Sequence, residues 1–67
     1  MSDVVRYGVM LTDDGSPTGQ LVGWARRRDG REVFDTLLEA LEACEDMGWV
    51  GYVAEHPDGR RPVGGWK

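Results

Sequence analysis

The sequence predicts an α+β domain, an antiparallel sheet of three to five strands with one α-helix packed on one face, in the order β-β-β-α-β. Three observations lead there. The stretch Val4–Thr12 alternates apolar and polar residues with a period of two, as a half-buried strand does. Asp29-Gly30 stands between two extended stretches, the strongest short-range hairpin signal. Thr36–Gly48 carries apolar residues at helical spacing between a capping residue and a glycine. The chain has 67 residues, enough for one domain spanning 1–67 with a thin core.

In the first strand, Val5, Tyr7, Val9 and Leu11 fall on the inward face. Asp13–Gly19 is dense in turn formers and reads as a loop. Gln20–Arg28 is the second strand. A two-residue turn at Asp29-Gly30 then returns the chain through Arg31–Phe34, setting Arg27 opposite Glu32 and Ala25 opposite Phe34. The alternative absorbs Arg31–Phe34 into the helix and leaves β-β-α-β.

Thr36 and Glu39 form a capping-box pattern. Leu37, Leu38, Leu41 and Cys44 make the apolar side, flanked by Ala40 and Met47, and Gly48 is placed as the left-handed terminator. Trp49–Glu55 is the strand after the helix. His56-Pro57-Asp58-Gly59 reads as a turn, and Arg60–Lys67 as a short edge strand, because Pro62 cannot sit in the middle of a sheet. Trp66 is placed to pin that tail.

Composition narrows the function classes. Cys44 is the single cysteine, so no disulfide forms within the chain. One Cys and one His cannot fill a tetrahedral metal site, and no cofactor motif is present. His56 has no evident catalytic partner, and Asp13-Asp14-Gly15 lacks the closing glutamate of a calcium loop. These absences point away from an enzyme. No apolar run approaches the roughly 20 residues of a membrane span, and the N-terminus lacks the pattern of a signal peptide. A soluble, cytoplasmic protein with a reduced thiol is the expectation.

Charge is the main functional clue. Of 12 acids, six (Glu32, Asp35, Glu39, Glu42, Glu45 and Asp46) lie between Glu32 and Asp46, where there is no base. Glu39, Glu42, Glu45 and Asp46 share one helix face, at about 3.5 Å of helix axis per charge. A single DNA strand offers about one charge per 3.4 Å. Such a row suits a basic groove on a protein partner, including the groove of a nucleic-acid-binding complex. An ordinary solvated face would also carry acids. Glu45 and Asp46, however, stand at the wrong end of the helix dipole, with no Lys or Arg one turn away. Trp24 is a second candidate contact. Adjacent positions on a strand face opposite ways, so Trp24 and Phe34 cannot both be buried on one face of the expected hairpin. An exposed aromatic is a common interface anchor.

The competing candidate is the arginine hairpin, Arg26, Arg27, Arg28 and Arg31, which has the composition of a basic β-ribbon that reads DNA or RNA. A charged edge that resists aggregation has the same composition, and a net charge of −4 argues against a dedicated DNA-binding domain. The sequence leaves a monomer and a homodimer both open.

Two resemblances accompany this reading. Trp24, Phe34, Thr36, Glu39, Ala40 and Asp58-Gly59 resemble the pattern of a small bacterial domain family of unknown function. The profile as a whole, a short acidic domain with one cysteine and no enzymatic residues, resembles phage and mobile-element anti-defence inhibitors of the anti-CRISPR type. That resemblance implies a non-catalytic, protein-binding inhibitor.

Overall fold

A computed structural model describes residues 5–56 and 61–65. Four strands and one helix follow in the order β1 (Arg6–Thr12), β2 (Leu21–Trp24), α1 (Leu37–Met47), β3 (Gly51–His56) and β4 (Pro62–Gly64). All strand pairs are antiparallel, in the spatial order β2-β1-β3-β4. The expected α+β architecture with a helix on one face is therefore present. Pro62 opens the edge strand β4, where its missing N–H breaks no ladder. Val4, the Pro57–Arg60 turn and Trp66 lie outside the described residues.

The helix is bounded by its own side chains. Thr36 is extended (φ −130°, ψ 156°), and its Oγ1 accepts the Glu39 amide at 3.1 Å. The Glu39 carboxylate reaches back one residue further than in a standard capping box and accepts the Asp35 amide at 3.3 Å. At the other end Gly48 takes φ 68°, a left-handed conformation that costs a glycine little. The Gly48 and Trp49 amides donate to Glu45 O and Cys44 O, at 3.3 and 3.1 Å, closing the last turn.

Two apolar layers lie on opposite faces of the sheet. On the helix side Val9, Ala25, Phe34 and Val53 pack against Ala40 and Ala43, with Tyr7, Leu11, Leu37 and Leu41 at the margin. Tyr7, Val9 and Leu11 thus face inward as their alternation predicts, whereas Val5, before the strand begins, is exposed. On the other face Met10, Tyr52 and Ala54 form a smaller cluster under Trp24.

Two expectations need correction. The first concerns the hairpin. Gly30 is the residue of its turn with positive φ (88°), and no described non-glycine residue has one. A type I′ turn needs positive φ at Asp29 as well. The chain instead makes a three-residue turn, in which Gly30 N donates to Arg27 O at 2.8 Å and Arg27 N to Arg31 O at 2.9 Å. The extra residue shifts the register by one, so Arg26 rather than Arg27 meets Glu32. Nor is there a third strand at Arg31–Phe34. The neighbour of β2 has already paired as far as Val9, through Ala25 N to Val9 O, and Phe34 finds only Tyr7 left on that edge of β1. A single bridge results, and residues 26–33 project as an arm.

The second correction concerns the helix face. Leu38, expected inward, is 65% exposed, and the buried centre is Ala40 and Ala43. Two small side chains let α1 approach the sheet closely, and Phe34, held at β1 by its bridge, fills the space beside Ala43. The helix is rolled toward the arm, which turns Leu38 out.

Candidate functional site

The arm and the helix lie side by side, and this brings together the two charged surfaces that the sequence presents separately. Arg27 and Arg31 form one wall of a groove of about 560 Å³; Glu39, Glu42, Glu45 and Asp46 line the other. Arg31 Nη2 stands 3.5 Å from Glu39 Oε2, and Arg27 Nη2 stands 3.7 Å from Asp46 Oδ2. Arg31 is further held by its Nε–H, which donates to Val33 O at 3.1 Å, and by the Phe34 ring 5.3 Å beneath its guanidinium. The acids at the C-terminal end of α1 are therefore not wholly uncompensated. Asp46 gains a cation from the arm instead of from its own helix. Exposed pairs of this kind contribute about 0.2–1 kcal/mol each, so they position the arm more than they stabilise the fold.

The acidic row divides on this basis. Glu39 and Asp46 face the arm. Glu42 and Glu45 make no ion pair among the described residues, and with Leu38 they fall at i, i+4 and i+7, a single exposed stripe along α1. Leu38 is the member that sequence reasoning missed. Its apolar character placed it in the core, and only the roll of the helix, set by Phe34 and the alanines, exposes it. Asp35 is exposed just before the cap, outside the helix.

Glu32 and Trp24 do not belong to this surface. Glu32 Oε1 takes Arg26 Nε at 3.0 Å, and its Oε2 lies 3.0 Å from His56 Nε2. The hydrogen bond from Arg26, then the one from His56, hold the Glu32 carboxyl below its ordinary pKa of 4.5. Trp24 is half-buried over Met10, Tyr52 and Ala54, its ring centroid 4.7 Å from that of His56. Trp24 and Phe34 face opposite sides, not through the hairpin register but because they lie beside Met10 and Tyr7, three residues apart on β1; the sheet itself separates Trp24 from α1. A partner seated on the acidic helix does not reach it.

The arginine hairpin is largely spoken for. Arg26 pairs with Glu32, Arg27 with Asp46 and Arg31 with Glu39. Arg28, at the exposed turn, has no ion pair among the described residues. No three His, Cys, Asp or Glu side chains among the described residues converge as a metal site needs. No described helix is long and apolar enough to cross a membrane. Cys44 lies against the sheet, its Sγ–H directed at Trp49 O at 3.5 Å, and burial pushes its thiol pKa above 9.0, the opposite of an activated nucleophile. No family model, curated protein or solved structure matches the chain.

Proposed function

We propose that the chain is a non-catalytic protein-binding module that offers the outer face of α1 to a basic, nucleic-acid-binding groove on a partner. The observation that carries this reading is the stripe Leu38, Glu42 and Glu45. It joins two carboxylates without internal ion pairs to a leucine that is 65% exposed. A leucine this exposed contributes little to the fold, but on a partner it would bury apolar area at about 25 cal/mol per Å². The carboxylates would steer the approach and set its orientation. Glu39 and Asp46, already facing Arg31 and Arg27, flank the stripe and keep the arm beside it. An anti-defence inhibitor of the anti-CRISPR type, acting in the cytoplasm by blocking the groove, is the concrete form of this function.

The test is binding to an arginine-rich peptide and to basic nucleic-acid-binding proteins, read by fluorescence anisotropy with duplex DNA as competitor. Binding should weaken steeply with salt, and DNA should displace the chain. Charge reversal of Glu42 and Glu45 to Lys should abolish it while leaving the melting temperature nearly unchanged. Unaltered affinity after that reversal would refute the reading. The engaged arginines favour this surface over direct nucleic-acid binding by the hairpin, and a gel shift with duplex DNA at low salt should show no complex.

A further inference from the structure

The two edges of the sheet are built differently. β4 is three residues long, begins with Pro62 and follows Arg61. Proline and charge are the ordinary means of keeping an edge from pairing with another chain. β2 has neither: Gln20–Trp24 carries no charged residue and no proline. Leu21 and Val22 are 61% and 70% exposed at this edge. Ala25 N donates to Val9 O, so Ala25 directs its backbone toward β1, and the alternation of an antiparallel ladder directs the Trp24 N–H and C=O outward. Val22, the extra residue of the bulge opposite Leu11 and Thr12, has no partner on β1.

We propose that this edge of β2 pairs, antiparallel, with β2 of a second copy of the chain about a two-fold axis near Gly23. The charges flanking the strand select this occupant. The exposed Asp13 and Asp14 lie at the N-terminal end of β2, where Asp13 Oδ1 accepts the Gln20 amide at 2.9 Å. Arg26 and Arg28 lie beyond its C-terminal end. A two-fold near Gly23 sets Val22 against Trp24 of the second copy. It also brings Arg28 of each copy, which has no ion pair among the described residues, to the Asp13-Asp14 end of the other. The same opposite-charge contact therefore forms twice, as a self-complementary interface requires. The product is one continuous eight-stranded sheet with both helices on the same face, because this axis is perpendicular to the sheet. Both acidic stripes then lie on one side of that sheet, separated by the two β2 strands, which α1 does not touch. The inference does not depend on what those stripes bind.

The edge is short, so the dimer is weak and its population rises with concentration. Sedimentation velocity of the whole chain from about 10 μM to about 1 mM should show a monomer–dimer equilibrium. Val22→Lys and, separately, Leu21→Lys should each leave a monomer throughout with an unchanged circular dichroism spectrum; Leu38→Lys should leave the dimer intact. Arg28→Asp should weaken association at least about tenfold, and adding Asp14→Arg should restore it. Exchange of the Trp24 amide should slow as wild-type concentration rises, a readout that needs no variant. A monomer at about 1 mM, a dimer indifferent to both lysine substitutions, or a Trp24 amide whose exchange ignores concentration would each overturn the proposal.

Discussion

Thr36 offers the sharpest test of how this fold is held, because its side chain has one bond and little packing. The residue is exposed and extended, and its Oγ1 accepts the Glu39 amide at 3.1 Å. Thr36→Ala therefore opens no cavity and removes only the cap, a cost of about 1 kcal/mol. For a domain of this size that lowers Tm by about 4–8 °C. Two controls isolate the mechanism. Thr36→Ser keeps the hydroxyl and should lose little. Thr36→Gly should cost only a few tenths of a kcal/mol, because glycine leaves its amide neighbours open to water. The assay is thermal unfolding followed at 222 nm, with urea midpoints as a check. If the serine variant loses as much as the alanine variant, the threonine methyl, not the cap, is what matters. If the alanine variant melts with the wild type, the helix is held by the sheet alone and the capping argument is wrong.

Three further outcomes follow from other contacts. Glu32 has its pKa lowered by Arg26 and then His56, so its contribution to stability is present above the unfolded-state value near 4.5 and is lost as pH falls through the folded value. Urea midpoints measured downward from pH 6 should therefore drop more in the wild type than in Glu32→Gln. Equal slopes would show that the carboxylate is not held. Gly8 lies beneath Trp24, and a Cβ there would sit 2.7 Å from a carbon of the indole ring. Gly8→Ala should shift the tryptophan emission to the red and destabilise by about 1–3 kcal/mol. Cys44, with its thiol pKa raised by burial, should react with iodoacetamide more slowly than free cysteine at pH 8 and regain the ordinary rate in urea. A native rate equal to the unfolded one would contradict its placement against the sheet.

What was legible in the sequence, and what was not, separates by range. Thr36 and Gly48 mark the ends of α1 because capping involves groups within a few residues of each other. The inward set Tyr7, Val9 and Leu11 and the edge position of Pro62 are likewise local, the first a matter of pleat and the second of a missing N–H. The hairpin was half legible. Asp29-Gly30 does mark the turn, but a dipeptide does not say whether one residue or two take positive φ, and that choice decides which arginine Glu32 meets. Of the candidate site, the acids on the exposed face of α1 were legible from helical spacing. The separation of Glu32 and Trp24 from that face was not.

By itself the sequence determines one helix and its limits, a sheet with a buried side, and a row of acids on the outer side of the helix. These follow from periodicity and capping, whose forces act along a few residues of chain. Tertiary structure alone decides that the segment after Asp29-Gly30 makes a single bridge at Tyr7 instead of a strand. It also decides that α1 rolls to expose Leu38, and that Arg27 and Arg31 come to rest against Asp46 and Glu39. Each of these depends on how much of one edge of β1 remains free once β2 has paired there. That is a competition between segments distant in sequence, settled by packing, which no local pattern encodes.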